Sequence, residues 1–338
     1  MKIRKIILLF ILSVLILPGS VYTLTIKIGS AARPQSPWGQ ALEKLGREWK
    51  KISRGKVQIE IYTGDIVGGE NDIIREMYKG TLAGAAFFGS GMPKICPGTY
   101  VYSIPLLLTT KKEHDFVFDK MKPLFESEIE KNGFKLITWS LSGWVRLFSK
   151  HPVFYPGDLS KHKLSLSTWS PKIDQAWRDI GFQIVPTDSK DLIMALQGGM
   201  VEAFFLSPLE AKDGDNFTLT PNMCNIKADK EYWCIVLTKK TWEEIPDQYK
   251  EQMEETAQKL SKDLYEEVIK LENEAIEKME ERDLIVNKLP ADALEKWQAA
   301  VHQGMDKLID RNSQLKEAFD LMMQYLTEYR EKNPHRPR

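Results

Sequence analysis

The stretch Asp158–Pro208, DLSKHKLSLSTWSPKIDQAWRDIGFQIVPTDSKDLIMALQGGMVEAFFLSP, alternates strand, helix, strand, helix and closes on Ala195-Leu196-Gln197-Gly198-Gly199-Met200-Val201-Glu202. The same alternation continues upstream. Leu24, Ile26 and Ile28 alternate with polar neighbours as a strand does, Ser36 with Pro37 makes a capped helix start, and Trp38, Ala41, Leu42, Leu45 and Trp49 recur at helical spacing. Val57, Ile59 and Ile61 predict a second strand, and Ile73, Ile74 and Met77 a helix that stops at Gly80. The continuous apolar run Ala83–Phe88 suits a buried parallel strand. This βαβαβ order implies an α/β lobe with a mostly parallel sheet. Further strands are expected at Leu136–Trp139 and Val145–Phe148, with a crossing near Lys150 into a second lobe that runs to about Val236.

Downstream the period changes. Tyr249, Met253, Ala257, Leu260, Leu264, Val268, Leu271, Ala275 and Met279 recur at intervals of three and four, which predicts one long helix from Pro246 to Asp283. No sustained heptad is kept, so a coiled coil is not the expectation. Leu284-Ile285-Val286 predicts a short strand, Asp292–Tyr329 the C-terminal helices, and Asn333–Arg338 a frayed tail.

The 338-residue length exceeds what one hydrophobic core fills, so two lobes are expected before any motif is considered. Forty-seven basic residues balance 47 acidic ones, which argues against a nucleic-acid footprint. Lys2, Arg4 and Lys5 precede an apolar run from Ile6 to Leu17 and then Pro18-Gly19-Ser20, the build of a secretory signal peptide over residues 1–23 and short for a membrane span. An uncleaved anchor is the alternative, and no cysteine near position 20 offers a lipid site. Of three cysteines, Cys224 and Cys234 either pair across a short polar hairpin or are, with Cys96, small buried hydrophobes. Their spacing and the five scattered histidines fit no metal site, and no cofactor is implied. Gly64, Gly68 and Gly69 lack the Lys-Ser/Thr that completes a phosphate loop, and no Ser, His and acid trio stands in a known local motif, so an enzyme is not expected. Asn216-Phe217-Thr218 matches a glycosylation sequon, a triplet that chance often supplies.

Asp158-Leu159, Lys163-Leu164, Gly181, Pro186, Ala195-Leu196-Gln197, Gly199, Val201 and Pro208 fall where one known segment wants them: "Asp-Leu-x-Gly-Leu-Lys-Ile-Arg-Val", a helix, a Gly-x-x-Pro strand, then "Ala-Leu-Gln-x-Gly-x-Val-Asp-Gly-x-Glu-Asn-Pro". Gly29 with Ser36-Pro37-Trp38, Gly64 with Val67-Gly68-Gly69-Glu70, Gly80-Thr81-Leu82, and Lys240-Thr241-Trp242 with Ile245-Pro246 extend the agreement through most of the chain. Their shared order and spacing resembles the solute-binding proteins of TRAP transporters, the DctP family. The resemblance implies an α/β, two-lobed periplasmic-binding-protein fold, type II-like, with a ligand cleft between the lobes and a long spine helix on both. The expected division is a first lobe from 24–148 and 238–283 and a second from 149–237 and 284–338, closing about hinges near Lys150 and Leu237.

Typical members of that family hold an organic acid on the arginine of the Lys-Ile-Arg-Val strand, two charge-assisted hydrogen bonds to one carboxylate. This chain has Ser165 there. A second family arginine corresponds to Arg146 one residue out of register, which would turn Val145 or Trp144 to the ligand and leave Arg146 either a ligand contact or a structural ion pair. The family asparagine corresponds to Leu206 or Ser207, after Phe204-Phe205; Phe88 and Ala31 stand where acid-binding members often carry polar groups. The candidate ligand contacts are Ala31, Phe88, Ser90, Trp144, Arg146, Ser165, Trp169, Ser189, Phe204, Leu206 and Ser207, with Phe87, Phe204 and Phe205 also eligible as lobe core. A buried ionised group without its partner costs roughly 3 to 5 kcal/mol, whereas each large apolar side chain buried contributes roughly 1.5 to 3 kcal/mol.

The expectation is therefore a periplasmic TRAP-type binding protein for a hydrophobic or amphipathic small molecule. A conventional organic-acid binder, or a sensor or carrier on the same fold, is the alternative. By the resemblance its partners would be the membrane permease subunits and, in some relatives, a helical-repeat periplasmic protein.

Overall fold

A computed structural model describes residues 23–89, 91–166, 171–310 and 313–333. The segment read as a signal peptide, up to residue 22, and the tail from 334 lie outside the described residues.

Strand β1 (Leu24–Ser30) buries alternate residues and leads to helix α1 (Pro37–Ile52). As its sequence predicts, α1 starts at Ser36, whose hydroxyl accepts from the Gly39 amide at 3.2 Å, and buries Trp38, Leu42, Leu45 and Trp49. Strand β2 (Val57–Thr63) pairs with β1 in parallel register from Leu24↔Val57 to Ser30↔Thr63. Helix α2 (Glu70–Lys79) then leads to β3 (Gly84–Phe87), a fully buried strand parallel to β1. Helix α3 (Lys111–Lys131) precedes the long strand β4 (Phe134–Trp144).

The chain changes sheet at Val145. Strand β5 (Arg146–Ser149) belongs to a second sheet with β6 (Lys163–Leu166), β7 (Gln183–Pro186), β8 (Ala203–Leu206), β9 (Asn222–Cys224) and β11 (Ile285–Asn287), in the order β11-β9-β5-β8-β6-β7. Its helices include α4 (Pro171–Asp179), α5 (Leu192–Gln197) and α6 (Pro208–Asp213). Strand β10 (Lys230–Thr238) returns to the first sheet, antiparallel between β3 and β4, giving the order β2-β1-β3-β10-β4.

Two sequence expectations shift here. β5 enters the second sheet before Lys150, and β10, placed in the second lobe by the sequence, is a central strand of the first sheet. The run Trp233–Leu237 is buried throughout because β10 has a partner on each side, but such a run does not say which sheet it completes. The Cys224–Cys234 pairing falls with it. Cys224 lies in β9 of the second sheet and Cys234 in β10 of the first, and Cys96, Cys224 and Cys234 are all free and buried. The two passages between sheets are tied to each other: the Val145 amide donates to Asp229 O at 3.0 Å and the Ala228 amide to Val145 O at 3.1 Å.

Helix α7 (Asp247–Glu280), about 50 Å long at 1.5 Å per residue, is the expected spine. Met253, Ala257, Leu264 and Val268 pack into the core that holds β1 and α1, while Met279 joins the core of Phe148, Phe204 and Met223 in the second sheet. Trp49 Nε1 donates to Met253 O at 3.2 Å, and Thr138 Oγ1 to Ser261 Oγ at 2.9 Å. The final helices, α8 (Ala293–Asp310) and α9 (Ser313–Lys332), divide between the lobes. Trp297 of α8 packs near Phe182 of the second, whereas Arg330 of α9 pairs with Glu113 of α3 at 2.7 Å.

Candidate ligand-binding site

A cavity of about 550 Å³ lies where the carboxyl ends of the parallel strands of both sheets converge. From the first sheet come Ala31 after β1, Thr63 and Gly64 at the end of β2, and Phe88 and Gly89 after β3. From the second come Ser165 and Leu166 of β6 and Phe204, Phe205 and Leu206 of β8. The passages between sheets contribute Val145, Ala228 and Asp229, and Tyr100, Trp177 and Tyr232 add an aromatic wall.

Of the sequence candidates, Ala31, Phe88, Ser165, Phe204 and Leu206 line this cavity. Phe204 also serves as core, stacked on Phe148 with ring centroids 5.3 Å apart. Ser207 does not line it. Its hydroxyl caps α6, accepting from the Glu210 amide at 3.3 Å and donating to Glu210 Oε2 at 2.7 Å. Trp144 is buried elsewhere, edge-on to His114 at 5.1 Å with the ammonium groups of Lys227 and Lys230 each 5.3 Å from its ring.

Arg146 is also absent from the lining. It stands opposite Leu206 in the β5–β8 ladder, and its Nη2 lies 3.6 Å from Glu272 Oε1 of the spine helix. Val145 lines the cavity in its stead, as the offset register implies. Ser90 and Trp169 lie outside the described residues, and Ser189 begins the short helical turn Ser189–Asp191 between lining residues Thr187 and Lys190.

The charges around the cavity are mostly acidic: Glu70, Glu210, Asp213 and Asp229 face only Arg33 and Lys190 among the lining residues. Both cations are exposed and engaged. Arg33 Nη1 donates to Asp213 O, and Lys190 Nζ lies 3.3 Å from Asp72 Oδ2, a carboxylate that Arg75 also holds. Glu70 Oε1 accepts from the Phe88 amide at 2.6 Å. Asp229 differs from all of these. Its Oδ1 is shielded from solvent and has no hydrogen-bond partner among the described residues, and burial pushes its carboxyl up to about 7.

Sequence reasoning missed Asp229, Arg33 and Lys190. Asp229 sits in the polar stretch before the apolar run of β10, and only its closeness in space to Val145, 84 positions earlier by the numbering, marks it as part of a site. Among the described residues no group of three His, Cys, Asp or Glu side chains is placed to hold a metal ion.

Solved structures share the architecture. A TRAP periplasmic solute-binding protein from Desulfovibrio salexigens with bound orotic acid superimposes with a TM-score of 0.83 at 17% identity, over 90% of this chain and 99% of that one. One from Roseobacter denitrificans with bound β-D-glucuronate gives 0.81 at 17% identity, over 88% and 98%. One from Sulfurospirillum deleyianum with bound succinate gives 0.80 at 16% identity, over 89% and 98%. In sequence, a solute-binding protein of Roseobacter denitrificans is 23% identical over 225 residues, 66% of this chain and 68% of that protein. The family model for bacterial extracellular solute-binding protein family 7, DctP, matches residues 28–312. The chain belongs to that family, the solute-binding proteins of TRAP transporters.

Proposed function

We propose that this protein is the extracytoplasmic subunit of a TRAP transporter that captures an amphipathic, largely apolar molecule and hands it to membrane permease subunits. One observation carries the ligand class: among the described residues, the buried part of the cavity lining has no cation. The position of the usual arginine is Ser165, Arg146 is turned to Glu272, and Arg33 and Lys190 lie at the exposed edge. Orotic acid, glucuronate and succinate, the ligands of the similar structures, each carry an acid group that needs such a partner. A carboxylate desolvated here without one would lose roughly 3 to 5 kcal/mol, more than two powers of ten in affinity. Phe88, Phe204, Phe205 and Leu206 offer apolar surface instead. Closure of the two sheets about Val145 and the Ala228–Asp229 segment would enclose the ligand.

The test is organic extraction of the purified protein with mass spectrometry, then calorimetric titration with succinate, glucuronate and medium-chain lipids. A co-purified apolar molecule, with acids bound at least a hundredfold more weakly, is expected. Tight binding of succinate or glucuronate with no uptake of apolar ligands establishes the organic-acid reading that the relatives favour.

A further inference from the structure

We propose that the polar end of this ligand is a protonated amine, seated on Asp229; this rests on the amphipathic reading above and names the head group. The local geometry singles out this carboxylate. The backbone of Asp229 is clamped by the paired bonds between Val145 and the Ala228–Asp229 segment, so the side chain is held in place at the cavity wall. Its Oδ1 is shielded and meets no donor among the described residues. A buried acceptor left in this state costs about 1–3 kcal/mol, and a residue kept at such a cost inside a binding cavity is a candidate contact for a ligand.

Cations are close in sequence yet face away. Lys230 lies over the rings of Trp144 and Tyr265 and donates to Tyr265 Oη at 2.6 Å, while Lys227 stands over Trp144. Lys230 is thus directed to Tyr265 of the spine helix, while Asp229 is among the residues that line the cavity. Arg146 is committed to Glu272. Three basic side chains near the passage are thus engaged on its far side, and none of them is among the residues that line the cavity with Asp229.

The surroundings suit an ammonium group better than a neutral hydroxyl. Tyr100 feels the charge of Asp229, and with Trp177 it supplies aromatic surface at this end of the cavity, where a desolvated cation gains from ring faces. The lining carries four carboxylates against two exposed cations, so its field favours a positive head group. An ammonium N–H···O⁻ contact to the Asp229 carboxylate is a charge-assisted bond, about twice as strong as a neutral one.

Octylamine, octanol and octanoate, three probes with one apolar body, discriminate the head group in calorimetric titration at pH 8 below micelle-forming concentration. Octylamine is expected to bind at least about tenfold more tightly than octanol, with octanoate weakest. In Asp229→Asn, octylamine should lose ten- to about a hundredfold in affinity while octanol changes little. Equal binding of octylamine and octanol by the wild-type protein overturns the head-group assignment but leaves the amphipathic reading standing. Binding of succinate with none of the octyl probes overturns both. Should Asp229→Asn fail to fold, the wild-type ranking of the three probes alone decides the assignment.

Discussion

The buried pair Arg146–Glu272 sets a quantitative test of how the spine helix holds the passage between sheets. Glu272 Oε2 accepts from the Trp144 amide at 3.1 Å, its Oε1 lies 3.6 Å from Arg146 Nη2, and the two side chains are 6% and 5% exposed. At this separation and an effective dielectric near 20 the attraction is about 4–5 kcal/mol. Desolvation opposes it on both sides: burial lowers the affinity of Arg146 for its proton and holds the Glu272 carboxyl above its usual range. The net worth of the pair is therefore small, while breaking it strands a charge. Glu272→Ala and Arg146→Ala should each cost about 3–5 kcal/mol, and the double replacement Arg146→Met with Glu272→Leu far less than their sum. Guanidinium unfolding of the ligand-free protein, followed by tryptophan fluorescence and far-ultraviolet circular dichroism, measures all three. Single costs below about 1 kcal/mol, or additive ones, would refute the structural role. An Arg146→Ala protein of normal stability that no longer binds ligand would return Arg146 to the ligand contacts.

Ser165→Arg should restore a carboxylate anchor and strengthen succinate binding at least about tenfold in calorimetry, and a folded variant with no gain would show that this position does not reach the ligand. Asp229 predicts a pH dependence of stability. The folded protein takes up its proton below about pH 7 and the unfolded chain only near the ordinary aspartate value, so the penalty is absent at about pH 4, grows toward 7 and is full above it. Asp229→Asn should accordingly raise the melting temperature at pH 8 and leave it little changed at pH 4; equal shifts at both would contradict the burial of this carboxyl. Gly68→Ala should destabilise by about 1–3 kcal/mol in guanidinium unfolding, because Gly68 has φ +82° and an added Cβ meets the Asp72 carboxylate that accepts from the Gly69 amide. Alkylation with and without reductant should give the same mass for all three cysteines, and a reductant-dependent difference would revive a disulfide.

What the sequence makes legible is what local physics controls. Ser36-Pro37 marks the start of α1 because a cap hydroxyl and a proline without an amide both suit a first turn. Alternation shows β1, and the long three-four spacing shows the spine to within three residues at either end. Long-range pairing escapes it. The polar stretch between Cys224 and Cys234 resembles a hairpin turn but is a passage between sheets, and Trp144 and Ser207 flank the cavity in sequence while packing elsewhere. Aromatic identity says that Phe204 is buried, not whether a ligand or Phe148 buries it; here it stacks on Phe148 and also lines the cavity. Asp229 belongs to no motif, and only its unpaired oxygen in three dimensions calls attention to it.

The position of β10 has a consequence for how the molecule comes to be folded. Its Cys234 pairs with Phe87 of β3, 147 positions earlier, and its other edge pairs with β4. The whole second sheet except β11 is thus an excursion between two neighbouring strands of the first. Until residues 230–238 arrive, β3 and β4 each present an open edge with no partner, and the first lobe has no continuous sheet on which α1 and α3 can settle. Non-local pairing of this kind slows folding and exposes strand edges meanwhile. The first sheet is therefore complete only once its last central strand has followed.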